Sequence, residues 1–185
     1  MIMLMGPRGA GKTTLLKKLA GEDGSRSAAR QQGCRHLFDS VLPPVKHTTG
    51  ISLGGYTCSN TATRITVREI GSSVYPLWSN FVDDTEPEKI VFIIDGSNRS
   101  QISTTACQFH SVLASDKLKN RPFALVINKW DAALYMKNEE LKEALHLDYI
   151  ASYVNRKNLS LFKLSIKDET GLEELRRWVE SPLQQ

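Results

Sequence analysis

The sequence predicts an α/β protein: a six-stranded, mostly parallel sheet with one antiparallel edge strand and helices on both faces. Three observations carry this expectation. Short apolar, β-branched runs alternate with longer helical patterns. Two neighbouring strand-like runs are joined by a short polar stretch and look like a hairpin. The length of 185 residues suits one domain, 1–185, large enough to bury a core without disulfides or metal staples.

Taken in order, the first strand is IMLM at 2–5, followed by a helix near 11–20. Residues 21–49 are rich in Gly, Ser, Pro and charge with no sustained period, which marks a functional or mobile loop. ISLGGYT at 51–57 and TRITV at 63–67, joined by CSNTA, form the expected hairpin and supply the antiparallel edge. IVFIID at 90–95, FALVIN at 123–128 and LSLFKLS at 159–165 read as further strands. Helical patterns near 100–115, 138–147 and 171–181 alternate with them. In such a sheet, ligands sit at the carboxyl ends of the strands.

Bulk properties exclude several classes of function. The net charge of +4 is spread along the chain and no aromatic-interleaved basic stretch accompanies it, so nucleic acid is not an expected partner. Cys34, Cys58 and Cys107 lack zinc-type spacing and leave an odd thiol, which suits a reducing compartment such as the cytoplasm. MIMLMGPRG is too short for a signal peptide or a membrane span. Position 2 is Ile rather than the Gly of an N-myristoylation signal, and no cysteine stands near the C-terminus, so no direct lipid anchor is expected. His36, His47, His110 and His146 share no ligand spacing and receive no metal role.

Directly after the first strand comes GPRGAGKTT, which fits G-x-x-x-x-G-K-[ST] at Gly6, Gly11, Lys12 and Thr13. Glycines in such a loop let successive backbone N–H groups turn inward on phosphate oxygens, and the following helix presents its positive N-terminal end. Gly6, Arg8, Gly9, Ala10, Gly11, Lys12, Thr13 and Thr14 are therefore candidate phosphate-binding residues, with Lys12 reaching the outer phosphates and Thr13 holding Mg²⁺. The motif alone leaves ATP and GTP both open.

A second motif separates them. FALVINKWDAA ends a strand in Asn128-Lys129-Trp130-Asp131, the N-K-x-D pattern. A carboxylate at Asp131 accepts two hydrogen bonds from the guanine N1–H and N2–H₂, a donor pair that adenine lacks. Asn128 would tie this loop to the phosphate loop, and the stem of Lys129 would lie over the base. Ser165-Ile166-Lys167 follows the last strand as an S-A-K type loop with a backbone N–H for the guanine O6.

With these motifs the chain resembles the Ras-like small GTPases, and more narrowly the Arf and Arf-like family. The narrower likeness rests on GKTT at 11–14, Pro76-Leu77-Trp78, VFIIDGSN at 91–98 and TGLEELRRWV at 170–179, and it covers nearly the whole chain. It implies a three-layer P-loop GTPase domain, GTP/GDP and Mg²⁺ as cofactors, and protein effectors and regulators on a switch surface. Vesicular or ciliary traffic and a cytoplasmic, cilium-associated location follow from the same likeness.

The resemblance also assigns roles around the γ-phosphate. Lys46-His47-Thr48-Thr49-Gly50 stands where relatives carry P-T-x-G, which makes Thr48 the Mg²⁺ and γ-phosphate contact, with Thr49 as the alternative register. Relatives then read W-D-V-G-G-Q, whereas this chain reads Arg68-Glu69-Ile70-Gly71-Ser72-Ser73, followed by a segment two residues shorter. Glu69 keeps the acidic charge near the metal with one more methylene. Either Ser72 or Gly71 faces the γ-phosphate, and Ser73 replaces the glutamine that orients water. No catalytic residue is assigned with Ser73 there; Arg8 is either a built-in arginine finger or solvent-facing. The expected activity is slow, partner-dependent GTP hydrolysis, the alternative a non-hydrolysing GTP-bound scaffold. An ATPase or kinase would call for an arginine-rich lid and no NKWD.

Overall fold

A computed structural model describes residues 1–20, 50–57, 64–116, 121–153 and 158–182. The element order is β1 (Ile2–Met5), α1 (Lys12–Ala20), β2 (Ile51–Thr57), β3 (Arg64–Ile70), a 3₁₀ segment (Ser72–Leu77), α2 (Trp78–Thr85), β4 (Lys89–Asp95), α3 (Ile102–Leu113), β5 (Phe123–Asn128), α4 (Asn138–Ala144), α5 (Leu147–Tyr153), β6 (Leu159–Lys163) and α6 (Leu172–Glu180). The six strands form one sheet in the order β2-β3-β1-β4-β5-β6. β2 and β3 pair antiparallel, with Ile51 opposite Ile70; every other pairing is parallel. The expected sheet is therefore present.

Strands β1 and β5 are buried along their whole length, and β4 up to Asp95. This is why they read as unbroken apolar runs rather than as alternating ones. One core face gathers Met3, Met5, Phe92 and Phe123 from the sheet under Trp78, Phe109, Leu141 and Ile150. The other gathers Ile2, Leu4, Val91 and Val126 under Leu15, Leu19, Leu175 and Val179. On α6 the buried residues Leu172, Leu175 and Val179 recur at three- and four-residue steps, the stripe that seats a helix on a sheet. Its C-terminal end is fixed by Lys89, 4% exposed, whose ammonium donates to the carbonyls of Trp178 (2.7 Å), Val179 (3.1 Å) and Ser181 (2.6 Å).

Three elements differ from the expectation. β3 continues through Arg68, Glu69 and Ile70, because Glu69 is taken into the interior by a hydrogen-bond partner and does not end the strand. The helical pattern at 138–147 divides into α4 and α5 at His146, whose φ of +50° is left-handed and cannot continue a helix. α2 was not expected, since WSNFVDDT has poor intrinsic helix propensity. Buried Trp78 and Val82, one turn apart, hold it to the core instead.

Candidate functional site

All the motif loops converge at the carboxyl ends of β1, β3, β4, β5 and β6. In the first of these loops Gly6, Gly9 and Gly11 have φ of +143°, +78° and +103°, conformations that suit glycine. Space is also limiting: a Cβ on Gly6 would stand 2.0 Å from the Ile93 carbonyl oxygen, and one on Gly11 2.6 Å from Asn128 Nδ2. The Lys12 ammonium is buried and donates to the carbonyl oxygens of Gly6 and Pro7, both at 2.8 Å. Two of its three donors are thereby oriented and the third is left for an anion. Burial pushes the Lys12 pKa down from 10.5 to about 8, and the negative charge of Glu69 opposes that shift. A buried cation in a collar of inward-turned backbone, at the start of a helix, fits a phosphate group.

Thr13 Oγ1 donates to Glu69 Oε1 at 2.7 Å. Glu69 is 1% exposed, so the added methylene is accommodated by drawing the carboxylate beneath the phosphate loop. With its proton directed at Glu69, the Thr13 oxygen keeps lone pairs for a hard cation, and this donor set suits Mg²⁺. Arg8 and Gly9 are exposed at the tip of the loop, Ala10 is buried, and Thr14 is partly covered.

Asn128 joins three loops. Its Nδ2 donates to the Ala10 carbonyl at 2.8 Å, and its Oδ1 accepts the Ile166 N–H at 3.3 Å. Asn128 and Ile166 are buried, and Gly11 is the residue that lets Asn128 approach so closely. Lys129 has a φ of +65°, which turns the chain sharply after β5, and its ammonium pairs with Asp95 Oδ2 at 2.6 Å. Asp95 is in turn held by the Ser97 N–H and hydroxyl at Oδ1, 2.9 and 2.6 Å away. Asp131 is exposed. The 165–167 loop is closed by Ser165, whose N–H donates to the Thr170 carbonyl at 3.1 Å and whose Oγ accepts the Asp168 N–H. Trp130 Nε1 donates to Thr170 Oγ1 at 3.3 Å, linking the N-K-x-D loop to this one.

At the end of β3 the Gly71 N–H donates to the Gly50 carbonyl at 2.8 Å, and the Gly71 carbonyl accepts Trp78 Nε1 at 3.1 Å. In this conformation Gly71 is thus engaged on both sides. Trp78, 1% exposed, ties the acidic loop to the sheet through its indole. Ser73 is exposed and Ser72 partly so. Thr48 and the rest of the 21–49 stretch lie outside the described residues, so the expected switch-I contact has no geometry here.

Sequence reasoning missed Asp95 as the partner that orients Lys129. Asp95 ends a strand that pairs in register with Asn128, a pairing that the sequence does not mark locally. Also missed was the Trp130–Thr170 link, for which the sequence carries no local sign.

Comparison with known proteins agrees with this geometry. Residues 47–183 match the model of the ADP-ribosylation factor family. Human ADP-ribosylation factor-like protein 16 is 28% identical over 181 residues, covering 98% of this chain and 85% of the relative. ADP-ribosylation factor-like protein 3 of Caenorhabditis elegans is 28% identical over 151 residues, covering 80% of this chain and 71% of the relative. In fold, the chain is similar to the Arl6 BBS3 small GTPase of Trypanosoma brucei with a bound nucleotide analogue, GppNp. The TM-score is 0.72 at 18% identity, with 97% and 94% of the two chains covered.

Proposed function

The chain belongs to the ADP-ribosylation factor family, whose fold binds guanine nucleotide, and on that premise we propose that it is a GTP-dependent switch with weak, partner-dependent hydrolysis. The observation that carries the proposal is the Asn128 side chain, which holds the phosphate loop and the 165–167 loop to the end of β5 by two hydrogen bonds. One buried amide thereby joins the two loops to which this reading gives phosphate and base.

Within it, Lys12 and backbone N–H groups of the 6–13 loop neutralise and orient the phosphates, and Asp131 selects guanine. Thr13 and Thr48 would hold Mg²⁺, with Glu69 behind Thr13, and the ion supplies charge neutralisation at the phosphate oxygens. The switch is the 46–50 and 69–77 chain around the γ-phosphate. Release of the Gly71 N–H from Gly50 is the rearrangement that frees a donor for it.

Hydrolysis is weak because Ser73 has a short hydroxyl where relatives place a glutamine amide. Losing one preorganised contact of that kind costs about 3–4 kcal/mol of barrier. The same substitution, together with the engaged Gly71, favours a second reading in which the protein stays GTP-bound as a scaffold. Its partners are effectors and regulators, and its setting is vesicular or ciliary traffic from the cytoplasm, a reading that rests on the family alone.

Single-turnover hydrolysis of bound GTP, with and without cell extract, tests the two readings. The switch requires a slow basal rate that extract accelerates; no acceleration by any extract contradicts it in favour of the scaffold. In the same assay Arg8→Ala lowers the rate if Arg8 acts as an internal finger, and an unchanged rate removes that role.

A further inference from the structure

The loops assigned to the base leave neighbouring strands, with Ile127 of β5 in register with Lys163 of β6. At their buried end Asn128 joins them through the Ile166 N–H. At their solvent end the joint is of another kind, with Trp130 Nε1–H donating to Thr170 Oγ1 at 3.3 Å. Trp130 is 45% exposed and lies in the turn closed by the Ala132 N–H on the Lys129 carbonyl at 3.0 Å. Without the bond to Thr170 its ring would be free to swing.

The group that the indole holds is itself fixed. The Thr170 carbonyl accepts the Ser165 N–H at 3.1 Å, an isolated antiparallel bridge that closes the loop, and Ser165 Oγ accepts the Asp168 N–H inside it. Gly171, the next residue, has a φ of +76°, and a Cβ there would stand 2.3 Å from the Lys163 carbonyl oxygen. Glu169, the residue before, pairs with Lys18 of α1 at 2.7 Å. Thr170 is thus an anchor, and a bond to it passes that order on to Trp130. On the other flank Asp95 holds Lys129 at 2.6 Å. Asp131, directly after Trp130, is exposed, and an exposed carboxylate has rotamer freedom to lose when it takes a ligand.

We propose that Trp130 and Thr170 form a latch that positions Asp131 for the base, so that the latch sets how strictly the 2-amino group of guanine is read. The proposal rests on the guanine reading above and adds to it a positioning residue that acts through Asp131. Its ground is preorganisation. Accepting from N1–H and N2–H₂ together demands one carboxylate orientation, and fixing the chain at Trp130 removes part of the ordering cost from the binding step. With the latch open, the carboxylate adapts to whichever donor is offered, and a base that presents N1–H alone loses less.

The test compares GDP, inosine diphosphate, whose base lacks the 2-amino group, and ADP as competitors of a fluorescent GDP analogue on the full chain with Mg²⁺. Trp130→Phe keeps a ring and removes the donor, and Thr170→Val keeps the shape and removes the acceptor. Each raises the GDP Kd by about three- to tenfold, the worth of one solvent-exposed hydrogen bond. Each raises the inosine diphosphate Kd less, so the preference for GDP over it falls by about twofold or more. The double variant is no weaker than either single one, and Thr170→Ser, which retains the hydroxyl, keeps the parent's values. Equal losses for GDP and inosine diphosphate mark a merely structural role and overturn the proposal. So do losses that add in the double variant, or parental affinity and preference in both single variants. A parent chain that binds GDP and ADP alike overturns the guanine reading and the latch with it; a parent that prefers GDP, with variants that behave as the parent does, overturns the latch alone.

Discussion

Asn128→Ala separates a site organised by one side chain from a set of independently placed loops. The substitution removes an amide that donates to Ala10 at 2.8 Å and accepts from Ile166 at 3.3 Å, in a place where both backbone groups are screened from water. Each partner left unsatisfied costs about 1–3 kcal/mol. The first bond is short and the second long, so a total of about 2–4 kcal/mol is expected. In the free protein the loops can relax to recover part of this, but bound nucleotide requires phosphate and base loops together. The loss therefore falls mainly on binding, as about a 30- to 1,000-fold rise in Kd. Titration of a fluorescent GDP analogue measures it, and a thermal melt without nucleotide reports the fraction lost to folding. A Kd within threefold of the parent, with the melt unchanged, would refute the idea that Asn128 unites the site.

Three further outcomes are expected. The Lys12 pKa of about 8 in the free protein must rise when phosphate binds beside it, so binding takes up a proton above that pH. Affinity is then flat below about pH 8 and falls by up to about tenfold per unit above it, and a Lys12→Met variant is weak and pH-independent over that range; equal parent affinity at pH 7 and pH 9.5 would contradict this. Asp131→Asn weakens guanine nucleotides by about 100-fold or more and improves xanthine nucleotides, whose 2-carbonyl accepts from the new amide, measured by competition. Lys89→Met strips the C-terminal carbonyls of α6 of their donor, and chemical denaturation should show a loss of about 2–4 kcal/mol with GDP affinity of the folded protein unchanged.

The sheet and its two covered faces were legible because they depend on periodicity. IMLM, IVFIID and FALVIN are continuous apolar runs, and only strands buried on both sides need such runs. The phosphate and base loops were legible for a different reason: Gly6, Gly9 and Gly11 adopt backbone angles that other residues resist, so their spacing carries geometry. What sequence did not carry was context. α2 is helical by virtue of Trp78 and Val82 against the core, against its own propensity. His146 breaks a pattern that runs smoothly through it. The burial of Glu69 under the phosphate loop depends on Thr13, 56 positions earlier, and the place of Asp95 depends on the register of β4 with β5. Such pairings arise from tertiary packing and leave no local mark.

The departures at 68–73 take on more meaning once placed. Arg68 stands on an open sheet face, Glu69 is retained beneath the phosphate loop, and Gly71 is fixed by Gly50 and Trp78. On the proposed reading the chain keeps the nucleotide-binding parts, while Ser73 stands where relatives carry the glutamine that orients water. This division is the physical basis for the proposal of weak, partner-dependent turnover.

The central claim, that this site reads guanine through Asp131 while Asn128 fixes the loops around it, is tested most directly by nucleotide competition. The purified chain is loaded with a fluorescent GDP analogue in the presence of Mg²⁺ and challenged with unlabelled GTP or ATP. The account predicts that GTP displaces the probe at stoichiometric concentrations and that ATP fails even at about a thousandfold excess. Displacement by ATP within about tenfold of GTP would contradict it.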